Sequence, residues 1–160
     1  MTNRLTIAPW GDRELVLRRG FAAPRAQVFA ALTRPALVRR WLVGPPGWTL
    51  AACEIDARPG GAYRYLWRAA AGGEVGTGGV YREVLAPDLL VHTEAVDTPW
   101  HRGEALVSTV LTSEGGGTVL RATLRYATHA AREAVRASPM ERGVAAGYDR
   151  LDRLLAEPVG

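Results

Sequence analysis

The sequence predicts an α+β protein in which a curved antiparallel sheet of about seven strands covers its apolar face with one long C-terminal helix. Three observations carry that prediction. From Trp48 to Tyr126, short strand-like segments follow one another across tight turns, which implies antiparallel neighbours because parallel ones need long crossovers. From Met140 to Leu155 the apolar residues recur every three or four positions, as on one stripe of a helix. Between the first strand and this meander, Pro24 and Pro35 each open a short helical pattern. An apolar sheet face must be buried against another layer, and the last helix is the element long enough to do it.

Taken in order, the opening dozen residues, with Pro9, Trp10 and Gly11, read either as an irregular arm or as a short first strand. From Glu14, ELVLRRGFAA alternates as a strand, with Leu15, Leu17 and Arg19 on one side. Val28, Phe29 and Leu32 follow Pro24 at helical spacing, and Leu37, Val38, Trp41 and Leu42 follow Pro35 up to the stop Gly44-Pro45-Pro46-Gly47. Strands are expected over 48–57, 62–70, 74–85, 89–97, 104–112 and 118–126. Residues 130–137 suit a short helix. Ser138, Pro139 and Glu141 have the form of a capping box with proline at the first helical position, so the last helix should begin there.

Composition narrows the functional classes. A chain of 160 residues buries enough surface to stand as one domain, read as 1–160 with a core of about 13–156. The basic residues, all arginine, are spread along the chain with acids interleaved, so the net charge of +4 forms no nucleic-acid footprint. No apolar run approaches a membrane span and no secretory signal opens the chain, which makes the cytoplasm the expected location. The single cysteine, Cys53, is read as a small buried hydrophobe on a strand. No metal and no cofactor is expected. A homodimer is compatible with the sequence, two-fold dimers being the commonest oligomers, but no residue demonstrates it.

Several short motifs then occur in a fixed order. They are Phe21-Ala22-Ala23-Pro24-Arg25 with Val28-Phe29, Trp41, Gly44-Pro45, Asp56-x-Arg58-Pro59-Gly60-Gly61, Gly79-x-Tyr81-x-Glu83, Pro87-x-x-Leu90-Val91, Met140-x-x-Gly143 and Arg150-Leu151. In this order the chain resembles the family of homologues of the heat-shock-protein ATPase activator, from about Leu15 to Leu155. That family belongs to the START-like superfamily, which also holds polyketide cyclases and aromatases, plant pathogenesis-related allergens and lipid-transfer domains. The resemblance implies a helix-grip (START-like) fold with a deep cavity between sheet and C-terminal helix, and members that bind or process hydrophobic small molecules. The founding eukaryotic members are co-chaperones with an additional chaperone-binding domain, for which this chain is expected to have no room.

The segment DARPGGAYRYLWR puts Tyr63, Tyr65 and Trp67 on one face and Arg64 and Arg68 on the other. If the aromatics face the helix, Leu120, Ala122, Leu124 and Tyr126 turn inward on the last strand. Trp41, Trp48, Tyr81, Met140 and Tyr148 are further candidates for the lining, and Trp100 with His101 in a loop could guard a mouth. Such a wall of aromatics with a few polar tips suits a small-molecule pocket. The competing reading is that these residues pack on one another as solid core.

His92 and Glu94 share a strand face with Leu90 and Val96. Facing a cavity, they would be an imidazole and a carboxyl placed for general acid-base work in a low-dielectric site. Facing water, they are ordinary strand residues, and that is the expectation from the strand alone. The expected partner is therefore a small hydrophobic molecule. An enzyme of the cyclase, dehydratase or hydrolase type and a co-chaperone-like or regulatory interaction module stand as alternatives. No G-x-S-x-G, P-loop or Cys-His pairing supports nucleophilic or nucleotide chemistry.

Overall fold

Strand β1 (Thr6–Trp10) is an edge strand, where Pro9 costs no ladder donor. It pairs antiparallel with β2 (Glu14–Phe21), with Ile7 opposite Leu17. The computed structural model describes residues 4–97 and 104–158. Helices α1 (Arg25–Thr33) and α2 (Pro35–Trp41) follow. Next comes the meander β3 (Trp48–Ile55), β4 (Ala62–Ala69), β5 (Glu74–Leu85), β6 (Leu89–Val96), β7 (Ala105–Glu114) and β8 (Gly117–Arg125). The chain closes with α3 (His129–Arg136) and the long helix α4 (Met140–Leu155).

All eight strands form one antiparallel sheet in the order β1-β2-β8-β7-β6-β5-β4-β3. The expected count of about seven is exceeded because the opening residues form a strand rather than an arm. The helix pair α1–α2 carries the chain from β2, near one edge, to β3 at the other. Register shifts at Leu50/Ala52 and at Tyr81/Glu83 insert extra residues into β3 and β5, and such bulges bend a strand and sharpen its twist.

The core lies in two parts. The larger gathers Leu15, Leu17, Phe21, Val28, Leu120 and Leu151 between β2, β7, β8 and the helices. The smaller is built on Tyr63, Tyr81 and Leu90. Phe29 and Leu32 of α1 touch both. Trp41 locks α1 to α2 by donating its indole N–H to the Ala31 carbonyl at 2.8 Å.

The start of α4 differs from expectation. Ser138 does not form the capping box: its hydroxyl donates to the Val135 carbonyl at 2.5 Å and accepts the N–H of Met140, the first residue of α4, at 3.3 Å, while Pro139 stands at the N-cap with no side-chain cap. The hydroxyl is drawn to the carbonyls at the end of α3, so the capping box does not form.

Helix α4 is tied to the sheet through a buried arginine. Arg19 is 2% exposed, pairs with Asp149 at 3.0 Å and Asp152 at 3.6 Å, and lies 5.1 Å over the Phe21 ring. Its Nε is buried without a hydrogen-bond partner, so the two carboxylates are what hold this charge in place. Removing both in an Asp149→Ala, Asp152→Ala variant strands the guanidinium and is expected to cost about 2 kcal/mol, whereas Arg19→Met should be nearly neutral. Urea denaturation of the two variants checks the contrast.

Candidate functional site

Between α4 and the sheet lies a cavity of about 430 Å³, within the usual range of small-molecule pockets of roughly 300–1,000 Å³. Alternation along β4 points Tyr63, Tyr65 and Trp67 into it, while Arg64 and Arg68 on the other face pair with Asp97 at 2.9 Å and Glu74 at 2.8 Å. The floor is Leu120, Ala122 and Leu124 of β8, with Val107 and Thr109 of β7. Helix α4 supplies Met140, Gly143, Val144, Gly147 and Tyr148, and α2 supplies Trp41. Among these lining residues Gly143 is the exposed one, which marks the mouth.

The aromatics touch one another along the wall without filling the space. Ring centroids lie 5.2 Å apart for Tyr63–Tyr65, 5.5 Å for Tyr63–Tyr81 and 6.0 Å for Tyr65–Trp67. Tyr148 meets Phe21 edge-on at 5.7 Å and Trp41 at 6.0 Å. Trp67 is anchored by its indole N–H, which donates to the Leu42 carbonyl at 3.0 Å. It lies against Gly44, where a Cβ would sit 3.1 Å from its ring.

The polar end is set by one carbonyl. The Thr93 carbonyl accepts from the Tyr63 hydroxyl at 2.7 Å and from His92 Nδ1 at 3.0 Å. A carbonyl only accepts, so the His92 proton resides on Nδ1 and Nε2 keeps its lone pair. Gly79 makes this possible: a Cβ there would lie 2.0 Å from the same carbonyl oxygen. The His92 ring stands edge-on to Tyr63 at 5.0 Å and to Tyr81 at 5.6 Å. Glu94, two residues along the same strand face, also lines the cavity. The solvent-exposed reading of His92 and Glu94 is thus overturned, because the β6 face that carries them is the face turned toward α4.

Burial determines the protonation of this end. It lowers the His92 pKa, against a weaker raising effect of its Thr93 hydrogen bond, so the imidazole is neutral at pH 7. It raises the Glu94 carboxyl, with no guanidinium of the described residues offsetting the effect. Burial first, and the Glu94 charge second, hold the Tyr63 hydroxyl far above its ordinary range and push Tyr148 up to about 12. Tyr81 is pushed up to about 12 by burial. All of these phenols stay protonated at neutral pH.

A carboxyl whose pKa is higher folded than unfolded favours the fold at low pH. That contribution is lost as pH rises through the unfolded value toward the folded one. Glu94→Gln is therefore expected to stabilise the ligand-free protein at pH 8 by about 1 kcal/mol, the usual scale of a stabilising substitution, and to give no gain at pH 4. Thermal unfolding at the two pH values checks it.

Not every expected residue reaches the cavity. Trp48 is the first residue of edge strand β3, opposite Ala69 and against Gly44, and is not in the lining. Tyr126 is turned inward as expected and is buried, but it lies past the end of β8, where the core is filled, and borders a smaller cleft instead. Trp100 and His101 lie outside the described residues. Leu17, Leu42, Thr77, Val107 and Thr109 also line the cavity, beyond the residues the sequence singles out. The signal for Thr77 was present, since it shares the face of Tyr81 by alternation.

The sequence pattern of the family described as Activator of Hsp90 ATPase homolog 1-like protein matches residues 22–156. Among solved structures, a Rhodobacter sphaeroides protein is 38% identical over 95% of this chain and 97% of its own, with a TM-score of 0.89. A Chromobacterium violaceum protein is 25% identical over 91% of this chain and 99% of its own, with a TM-score of 0.75. A Mycobacterium smegmatis protein shares the fold at 19% identity, covering 98% of this chain and 100% of its own with a TM-score of 0.84. No curated protein matches the chain. With most of its length matched, the chain belongs to the Activator of Hsp90 ATPase homolog 1-like family and carries that family's ligand-binding helix-grip fold.

Proposed function

We propose that the protein binds one small hydrophobic or aromatic molecule in the cavity between its sheet and α4. The observation that carries this reading is an aromatic-walled space of about 430 Å³ with an exposed glycine at its mouth. Apolar walls bind such a molecule by removing its surface from water, at roughly 25 cal/mol per Å². The hydroxyls of Tyr65, Tyr81 and Tyr148 form no hydrogen bond to any described residue, which leaves them to orient a ligand.

A second reading has specific support. The Nε2 lone pair of His92 and the raised carboxyl of Glu94 line the same cavity, as a proton acceptor and a proton donor would for a cyclase, dehydratase or hydrolase. His92→Gln and Glu94→Gln would then abolish turnover while leaving an apolar ligand bound. An interaction module acting only through its surface has less support, because it gives the cavity no purpose.

Native mass spectrometry of protein from its own host, with mild denaturation to release what is bound, tests the proposal. A stoichiometric apolar compound is the expected result. Empty protein that also shows no thermal shift with a panel of apolar compounds would overturn it.

A further inference from the structure

Glu94 is a carboxyl with no cation beside it among the described residues. The basic residues are all arginine, yet none of the described ones is among the residues lining the cavity. Glu94 forms no salt bridge and accepts no hydrogen bond from any described residue. Buried acids are ordinarily paired, and an unpaired one is costly. Here the acid faces open space rather than packed side chains, so the missing partner has room to arrive from outside.

The groups around Glu94 share one bias. Ionised, its two oxygens only accept hydrogen bonds. His92 has spent its one N–H on the Thr93 carbonyl and offers Nε2 as a second acceptor. Tyr63 has likewise spent its O–H on that carbonyl, at 2.7 Å, so toward the cavity it too offers only lone pairs and a ring face. Tyr65 and Tyr148 lie close enough for the Glu94 charge to push their hydroxyls up. Apart from the hydroxyls of Tyr65 and Tyr148, this end of the cavity thus offers acceptors and electron-rich ring faces beside a negative charge, and an aromatic face attracts a cation.

We propose that the ligand is an amine on an aromatic or apolar body, with its ammonium seated against Glu94 and beside His92 Nε2 and the Tyr63 ring. The inference rests on the ligand-binding reading of the cavity and narrows it. An ammonium brings donors and no acceptor, the complement of what Glu94, His92 and Tyr63 offer. A carboxylate ligand brings only acceptors and a like charge, which Glu94 repels. A neutral alcohol meets the acceptors with a single O–H and leaves the carboxylate without a counter-ion.

The test uses three probes with the same two-ring body: 2-naphthylmethylamine, 2-naphthylmethanol and 2-naphthoate. Each is titrated calorimetrically into the full chain and into Glu94→Gln at pH 7.5. The amine is expected to bind the native protein about tenfold tighter than the alcohol, and the naphthoate at least about tenfold weaker than the alcohol. In Glu94→Gln the amine and the alcohol should come within about threefold of each other, with the alcohol itself little changed. The inference is overturned if naphthoate binds as well as the amine, if amine and alcohol bind the native protein equally, or if the amine keeps its advantage in Glu94→Gln. Failure of all three probes to bind would overturn the ligand-binding reading and this inference with it. Binding in the wrong order overturns only the inference.

Discussion

Phe21→Ala is expected to destabilise the protein by about 3–5 kcal/mol, the range for losing a fully buried phenylalanine. The ring is 0% exposed. It stands at the junction of β2 and α4, meeting Tyr148 edge-on at 5.7 Å with the Arg19 guanidinium over its face at 5.1 Å. The Arg19 guanidinium over its face is held by Asp149 and Asp152 and does not follow the lost ring. Against a total stability of about 5–15 kcal/mol the loss is large. For a chain of this length it lowers the melting temperature by roughly 10 °C. Phe21→Leu should recover most of it. Because Tyr148 both packs on Phe21 and lines the cavity, the alanine variant should also bind apolar probes more weakly. A loss below about 1 kcal/mol in denaturant titration would mean that this ring does not fasten the helix to the sheet.

Gly143→Trp is expected to weaken binding of 2-naphthylmethanol by about 100-fold while leaving stability intact. A Cβ at Gly143 meets nothing within 4 Å, so the indole has space to occupy at the mouth. Glycine inside a helix costs about 1 kcal/mol relative to alanine, which means that the substitution removes a local liability as it closes the entrance. Gly143→Ala serves as the control: it gains the same helical preference and blocks little, so its affinity should stay near native. Ala122→Phe reaches the same end from the floor, since Ala122 lines the cavity on β8. Calorimetric titration together with thermal unfolding separates a blocked cavity from a damaged fold.

Period and punctuation make most of the architecture legible in the sequence. The alternation of β4 and β8 put the right residues inward, and the Gly44-Pro45 stop marked the end of α2. Two of the glycine-bearing motifs acquire a physical meaning only in three dimensions. Gly61 must be glycine because a Cβ would lie 2.0 Å from the Asp56 carbonyl, and Gly79 because of the Thr93 carbonyl. Those are through-space approaches, which no single-chain pattern displays. The same holds for His92 and Glu94: both faces of β6 are comparably apolar in sequence, and only the pairing of β6 between β5 and β7 decides which one turns to α4. Trp48 failed as a lining residue for a related reason, since its place at the end of an edge strand depends on the whole sheet order. Arg19 shares a strand face with Leu15 and Leu17 in the one-dimensional pattern, which puts an arginine on the apolar side without showing what pairs it. Its burial follows from two aspartates 130 and more residues away.

The most direct test of the account is a fluorescence titration of N-phenyl-1-naphthylamine, an uncharged probe that brightens on leaving water, against native protein, Gly143→Trp and Ala122→Phe side by side. The account predicts a saturable signal with one probe per chain for the native protein and its loss in both variants at unchanged melting temperature. Equal signals from all three proteins, or no saturable signal from the native one, would contradict the claim that this cavity exists to hold an apolar molecule.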